Sequence, residues 1–565
     1  MATEAHCAAP TVTSCGCAHL SGTTTPCSPP CSVGGGSYTV HPVGPFVWGG
    51  HYEGNTLIWR QRWVTQRGIT ECRDALAFPG DARQIVLLRQ IVAAEQDAHV
   101  RVRLDPRAAF GVEPIRDLRL VGGRWTGRTG DLTLRWSGAS QARVTADGAL
   151  EIEIVVPHGC RHDLVLELTV GELGKPVVAD EVWEATREAW VNTVPSFDGV
   201  VGAGDVGHSY AVLRGLTRPH GGMVAAVTTS LPERADQGRN YDYRYSWIRD
   251  QCYAGLAAAS HGDDALLDNA LEFVVGRVLE DRDALKPAYC VTGEPVPDER
   301  QLDLPGYPGG QQVVVGNKIT NQFQLDSFGE ILQLLAAGGR HHALEADHSR
   351  AARLLVDAVD RRWRERDAGI WELRPNWWTH SRLSCVAGLR AIAAVPGLGD
   401  TPRRAVRLAD AILTETTRRC LDPRGYWRQT PDTAKVDAAL LLPAVRGAVP
   451  ADDPRTSATL AKVRETLSVD GFVYRYHHDS SRLGEVEGAF LLTGFFAALA
   501  ELHQGNDTDA FRYFERNRSA CGPPALLAEE YDVEQHQLRG NLPQAFVHAL
   551  LVECAVRLTP CHRSA

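Results

Sequence analysis

The chain has 565 residues, of which 23% are charged and 44% hydrophobic, and its formal net charge is -10. That length allows a large core and more than one domain. The acidic balance argues against nucleic-acid or anionic-membrane binding, both of which need clustered basic residues. No apolar run reaches the roughly 18 residues of a membrane-spanning helix, so no membrane partner is expected. The first residues, MATEAHCAAPTV, lack a basic segment followed by an apolar stretch, so no signal peptide is expected and the expected location is cytoplasmic. Five of the 14 cysteines (Cys7, Cys15, Cys17, Cys27, Cys31) crowd into this end. Cys15, Cys17 and His19 are spaced more tightly than zinc ligands usually are. Residues 1–36 are therefore read as a disordered leader or a mis-assigned start, with no metal, and the cysteines as reduced.

From Ser37 to about Leu168 the chain reads as short strands: YTVHPV, NTLIWRQRWVT, QIVLLRQIVAA, HVRVRLD, DLTLRW, ARVTADGALEIEIVV and DLVLELTV. Gly, Pro and Asp punctuate them, the pattern of an antiparallel β-sandwich, here expected over 37–175. A linker with a bridging helix, DEVWEATREAWVNTV, follows over 176–204. Beyond it the apolar period becomes helical, as in Leu266, Leu267, Ala270, Leu271, Val274, Val275 and Val278. About twelve such segments, too dissimilar for a regular solenoid, are expected to pair into an (α/α)6 barrel over 205–560.

The segment from Gly238 to Asp250, GRNYDYRYSWIRD, mixes aromatic rings, guanidinium groups and carboxylates at a loop-to-helix boundary. Sugars need this mixture, because rings stack on the pyranose C–H face while Arg and Asp bond its hydroxyls. A helix start with a buried Arg249–Asp250 pair is the plainer alternative. In DAGIWELR, Glu372 follows Trp371, and a carboxyl against apolar surface can stay protonated as a general acid. An exposed Glu372 paired with Arg374 is the alternative there. In LLAEEYD the adjacent Glu529 and Glu530 point in different directions, so at most one of them can serve as a base. Tyr474-Arg475-Tyr476 with Glu485-Val486-Glu487, and Gly316-Asn317-Lys318 with Gln322, Gln324 and Asp326, read alone as caps and loops. No G-x-S-x-G, H-E-x-x-H or phosphate-binding loop occurs.

Taken together these segments resemble glycoside hydrolase family 15, which contains glucoamylases, glucodextranases and bacterial trehalases. RNYDYRYSWIRD resembles the family's R-N-W-D-Y-R-Y-x-W-x-R-D signature, and GNKITNQFQLDSFGE, DAGIWELR, THSRL, GFVYRY, EGAF, LLAEEYD and GNLPQAFVH follow in the family's order, over about residues 37–557. The resemblance implies a β-sandwich before an (α/α)6 barrel and inverting, exo-acting hydrolysis of an α-glucoside. It implies that Glu372 is the general acid and Glu529 the general base. It implies that Arg249 and Asp250 hold the terminal glucose, that Trp247 and Trp371 are apolar walls, and that Arg475, Glu487 and Glu530 line the pocket. No metal or organic cofactor is implied, and the partner is a small α-glucoside, trehalose or a short α-glucan. The leader lacks the family's opening strand. Ser381-Arg382-Leu383-Ser384-Cys385-Val386 lacks the tryptophan that usually follows H-S-K, and Ser246 and Tyr241 replace a frequent Cys and Trp. A divergent member acting as a sugar-binding or biosynthetic-pathway protein is the alternative reading. Oligomeric state is not legible in the sequence.

Overall fold

The computed structural model describes residues 36–560, apart from 82, 235–237, 305, 308, 311, 479–480 and 523. The leader reading and its Cys15, Cys17 and His19 therefore lie outside the described residues. An N-terminal region of antiparallel sheets precedes a helical region. Strands β1 (Ser37–Pro42), β6 (Ala98–Asp105), β10 (Arg143–Val144) and β11 (Leu150–Val156) form a 4-stranded sheet in the order β1-β6-β11-β10. An 8-stranded sheet runs β2-β3-β4-β5-β12-β9-β8-β7, from β2 (Phe46–Tyr52), β3 (Trp59–Thr65), β4 (Gly68–Leu76) and β5 (Gln84–Ala93) through β12 (Arg161–Val170) to β9 (Leu132–Ser137), β8 (Arg124–Thr129) and β7 (Arg116–Val121). One apolar core joins the two sheets: Val100, Val102 and Leu104 of β6 share it with Leu87 and Ile91 of β5 and Leu164, Leu166 and Leu168 of β12.

The middle strands are buried on both faces, which explains why β5 and β12 read as nearly continuous apolar runs rather than alternating ones. Leu88 and Val165 point away from the inter-sheet core into a second cluster with Trp183, Trp190 and Ala211. Trp183 and Trp190 belong to helix α1 (Ala179–Thr193), which lies over the expected bridging segment, and Ala211 to α2 (Ala203–Leu216). Phe78 stacks on Trp190 with centroids 4.0 Å apart. Gly207 of α2 is required by close approach, since a Cβ there would fall 2.3 Å from Asn55 Oδ1. The seam between the sheets and the helices is thus a packed core of its own.

The helical region continues with α3 (Ile248–His261), α4 (Asp264–Asp281), α5 (Asp326–His341), α6 (Ala346–Arg362), α7 (Thr379–Ala393) and α8 (Thr401–Cys420). A 3-10 turn, Ala438–Leu441, runs into the short α9 (Leu442–Val445), and α10 (Pro454–Leu467), α11 (Leu491–His503), α12 (Asp507–Arg518) and α13 (Ala545–Leu558) complete it. Local signals set the ends. Gly262, at φ 84°, ends α3, and Asp263 caps α4 through Leu266 N. Asp453 caps α10 with Pro454 in its first turn.

Helices α3, α5, α7, the 438–445 segment, α11 and α13 each pack on the next, and α13 returns to α3. Helices α2, α4, α6, α8, α10 and α12 pack on the outside of this set. The inner helices are buried nearly all round, as α13 shows from Ala545 to Val556, whereas α8 buries one stripe. Gly329 of α5 and Gly388 of α7 let these two helices touch; a Cβ on Gly388 would lie 2.2 Å from Gly329 O. Among the described residues no helix is long and apolar enough to cross a membrane.

Candidate active site

The connections at one end of the inner helices carry the motif residues. Asp242, in the loop before α3, is wholly buried and pairs with Arg244 at 2.7 Å. Its Oδ2 also accepts from Gly316 N at 3.0 Å, and its carbonyl from Asn317 Nδ2 at 3.3 Å. The Gly316–Asn317 segment, read from sequence as a cap and loop, therefore braces the signature loop. Gly316 has φ 80°, and a Cβ there would lie 2.2 Å from Asp298 O.

Two side chains of this loop reach the two candidate glutamates. Tyr243 donates its hydroxyl to Glu529 Oε2 at 3.0 Å and lies 3.2 Å from Oε1. Trp247 donates its indole N–H to Glu372 Oε1 at 2.8 Å. The two rings meet edge to face, 5.6 Å between centroids. A continuous link, Glu529–Tyr243–Trp247–Glu372, thus joins the carboxylates across the ring of helices. Tyr241 stacks parallel on Tyr243 at 6.1 Å.

Glu372 sits in a turn closed by Glu372 N to Gly369 O and Leu373 N to Ala368 O. Its φ of 58° is left-handed, a conformation that disfavours a side chain. The turn is held from below: Asp367 accepts from Ser381 Oγ (2.7 Å), Gly369 N (3.1 Å) and Leu325 N (3.3 Å), and pairs with Arg382. Arg382 and Asp367 are both fully buried. The Ser381–Val386 stretch lies in α7, with Val386 wholly inside the core. Trp371, expected as an apolar wall for Glu372, is buried and turns its N–H to Asp437 Oδ1 at 2.7 Å. The indole that touches the Glu372 carboxyl is Trp247, and it does so with its N–H rather than its apolar face.

Arg249 and Asp250 begin α3 and form a buried pair, Nε to Oδ2 at 3.4 Å. Arg249 also donates to Ile370 O at 2.8 Å and stands 3.8 Å from Glu372 Oε1. Both oxygens of Asp250 lack a hydrogen bond, an unusual state for a wholly buried carboxyl. Burial pushes Asp250 up to about 6 against the pull of Arg249. The plainer Arg–Asp reading and the site reading therefore describe the same two residues.

Glu529 and Glu530 diverge, as adjacent residues on a strand edge must. Glu530 pairs across the ladder with Phe490 and is bonded by Gly488 N at 2.7 Å and Arg475 at 3.2 Å. Arg475 lies 2.5 Å from Glu487, which also has His478 at 3.1 Å. Burial opposes charge on Glu487, yet the Arg475 guanidinium outweighs it and holds this carboxyl at about 2. Burial, and then the charge of Glu233, push Glu529 up to about 8. Glu233, buried and paired with Arg239 at 2.8 Å, carried no signal in the sequence: a single glutamate in SLPER has neither an aromatic neighbour nor a doublet. Tyr243 lay inside a recognised segment, but nothing in the spacing singled out its hydroxyl. Among the described residues no group of three or more His, Cys, Asp or Glu is placed to hold a metal ion.

The arrangement of sheets before helices is shared with a solved bacterial glucoamylase complexed with acarbose. The likeness has a TM-score of 0.65 at 14% identity and covers 93% of this chain and 87% of that one. The sequence pattern described as Glycosyl hydrolases family 15 matches residues 209–556, and the chain belongs to that family. Similar proteins include a trehalase of Mycobacterium tuberculosis (strain ATCC 25618 / H37Rv), 33% identical over 67% of this chain and 58% of its own length. A trehalase of Mycolicibacterium smegmatis (strain ATCC 700084 / mc(2)155) is 34% identical over 67% of this chain and 59% of its own. The matched span is less than two thirds of the length of these relatives.

Proposed function

We propose that this chain is an inverting, exo-acting α-glucoside hydrolase that releases β-glucose from a non-reducing end, with trehalose as first substrate and small α-glucans next. The observation that carries this is the pair Glu372 and Glu529 held at the two ends of the Tyr243–Trp247 bridge, beside Arg249 and Asp250. In this reading the helical region is an (α/α)6 barrel over 205–560, the sheets over 37–175 close as a sandwich, and the 176–204 segment links them. The trehalase relatives favour a trehalose-type linkage over the glucoamylase type.

The unbonded oxygens of Asp250 and the Arg249 guanidinium take hydroxyls of the terminal glucose. Trp247 occupies Glu372 Oε1, so Oε2 carries the proton to the glycosidic oxygen as the bond breaks. Glu529, ionised and steered by Tyr243, removes a proton from a water on the opposite ring face. An inverting pair of this kind is separated by about 6.5–9.5 Å, which leaves room for that water. Arg475, Glu487 and Glu530 fix the base side of the pocket, and this chemistry asks for no metal. Proton NMR of the anomeric signals tests the reading, with trehalose, maltose and isomaltose in separate tubes. Early β-glucose is the expected result, matched one for one by α-glucose in the trehalose tube, where the leaving half keeps its α configuration. Early α-glucose above the share carried by the reducing ends of maltose or isomaltose, α-glucose alone from trehalose, or no release from any of the three, overturns it.

A further inference from the structure

Glu233 belongs to none of the motifs, yet it sits at the centre of the charges on the base side. Its loop is a hairpin end: Glu233 N bonds to Arg239 O at 2.9 Å, and Ser230 N to Tyr241 O at 2.9 Å. Pro232 O accepts from Gly540 N at 3.1 Å, which ties this hairpin to the strand that follows Glu529. Gly540, at φ 82°, fits between the two carboxyls; a Cβ there would lie 3.5 Å from Glu529 Cβ and 3.8 Å from Glu233 Cγ. Glu233 Oε2 is 2.8 Å from Arg239 Nε and 3.6 Å from Arg475 Nη2. Arg239 in turn reaches Glu487 at 3.4 Å. Glu233 and Glu487 thus grip two guanidinium groups between them, and Gly540 brings Glu233 close to Glu529.

We propose that Glu233 is a positioning residue for the base: it fixes Arg239 and Arg475 and sets its own carboxylate beside Glu529 across Gly540. This rests on the functional reading above. The groups facing Glu529 are Glu233, Arg475, Tyr243 and Glu372, with Glu530 next in the chain and Tyr241 behind Tyr243. Those facing Glu233 are Arg239, Arg475, Tyr241, Tyr243 and Glu530. After burial, the Glu233 charge is the largest influence raising Glu529, and Arg475 is the largest lowering it. A like charge nearby disfavours the ionised form, so its removal lets Glu529 ionise at lower pH.

The test is Glu233→Gln with two readouts. Infrared titration of the carboxyl stretch, with Glu529→Gln identifying the Glu529 band, needs no turnover. The band midpoint is expected to fall by about one pH unit in Glu233→Gln. The acid limb of kcat/KM is expected to fall with it, because a base works only when ionised. Arg239→Met removes a compensating cation and is expected to move the band the other way, which keeps the idea testable should Glu233→Gln not fold. A band that stays put in whichever variants fold, even with activity uniformly reduced, assigns Glu233 a purely structural role and overturns the proposal. Absence of hydrolysis in the wild type strikes the functional reading instead, while the infrared shift still decides the role of Glu233.

Discussion

The two glutamates live in different physical conditions, and single substitutions separate them. The Glu372 side chain is 30% exposed, so its proton can exchange between turnovers. Glu372→Gln keeps the turn and removes the proton, and kcat is expected to fall by about 10²–10⁴-fold in a steady-state assay. The left-handed backbone makes a second prediction. Glu372→Gly is expected to be more stable than Glu372→Ala by about 1 kcal/mol, read from urea midpoints, because only glycine adopts φ 58° freely. Glu529 is buried, and its folded carboxyl titrates at about 8, above the ordinary glutamate range. Its contribution to stability is therefore complete below the unfolded value and is lost as pH rises through about 8. Glu529→Gln carries no charge at any pH. It is expected to raise Tm relative to the wild type more at pH 8 than at pH 5, while abolishing turnover at both. The acid limb of kcat/KM in the wild type is expected above that of an ordinary glutamate, moving toward 8.

Individual elements show why the Glu372 turn stays in place. Arg382 is fully buried against Asp367, and Asp367 collects the N–H groups of Leu325 and Gly369. Arg382→Met leaves that carboxyl without a cation, and a loss of about 3–5 kcal/mol is expected from denaturant unfolding. The same elements mark the limits of the sequence. Strands β5 and β12, buried on two faces, were legible because their apolar runs are long. Strands β2, β4, β7 and β8 were not among the expected runs: β2 carries Gly49 and Gly50, β4 reads GITECRDAL, and β7 is an exposed edge dominated by Arg, Asp and Leu. Their partners are near in the chain, as β7 on β8 and β4 between β3 and β5, so weak apolar alternation rather than distance hid them. The short α9 carries too few residues for a helical period, and Pro443 falls in its first turn. In the site, the aromatic and acidic residues were legible as types, but their partners were not. The turning of Trp371 to Asp437 and of Trp247 to Glu372 depends on side-chain directions that no spacing encodes.

At the scale of the whole molecule, the sheets and helices share one seam. Ile58, Leu88, Val165, Trp183, Trp190 and Ala211 share a single cluster drawn from the sheet region, the bridging helix and the outer helix α2. Calorimetry is expected to show one unfolding transition rather than two, since neither side retains a closed surface alone. Trp190→Ala is expected to cost about 3–5 kcal/mol and to split or broaden that transition. The bridge from Glu529 through Tyr243 and Trp247 to Glu372 has a mechanical meaning at this scale. Glu372 and Glu529 come from connections far apart in the chain, before α7 and before α13. Yet both are gauged against one short stretch of backbone just ahead of α3. A slip or breathing motion of any single helix is referred to that common datum, so the two carboxylates keep step with each other even when the wall around them does not.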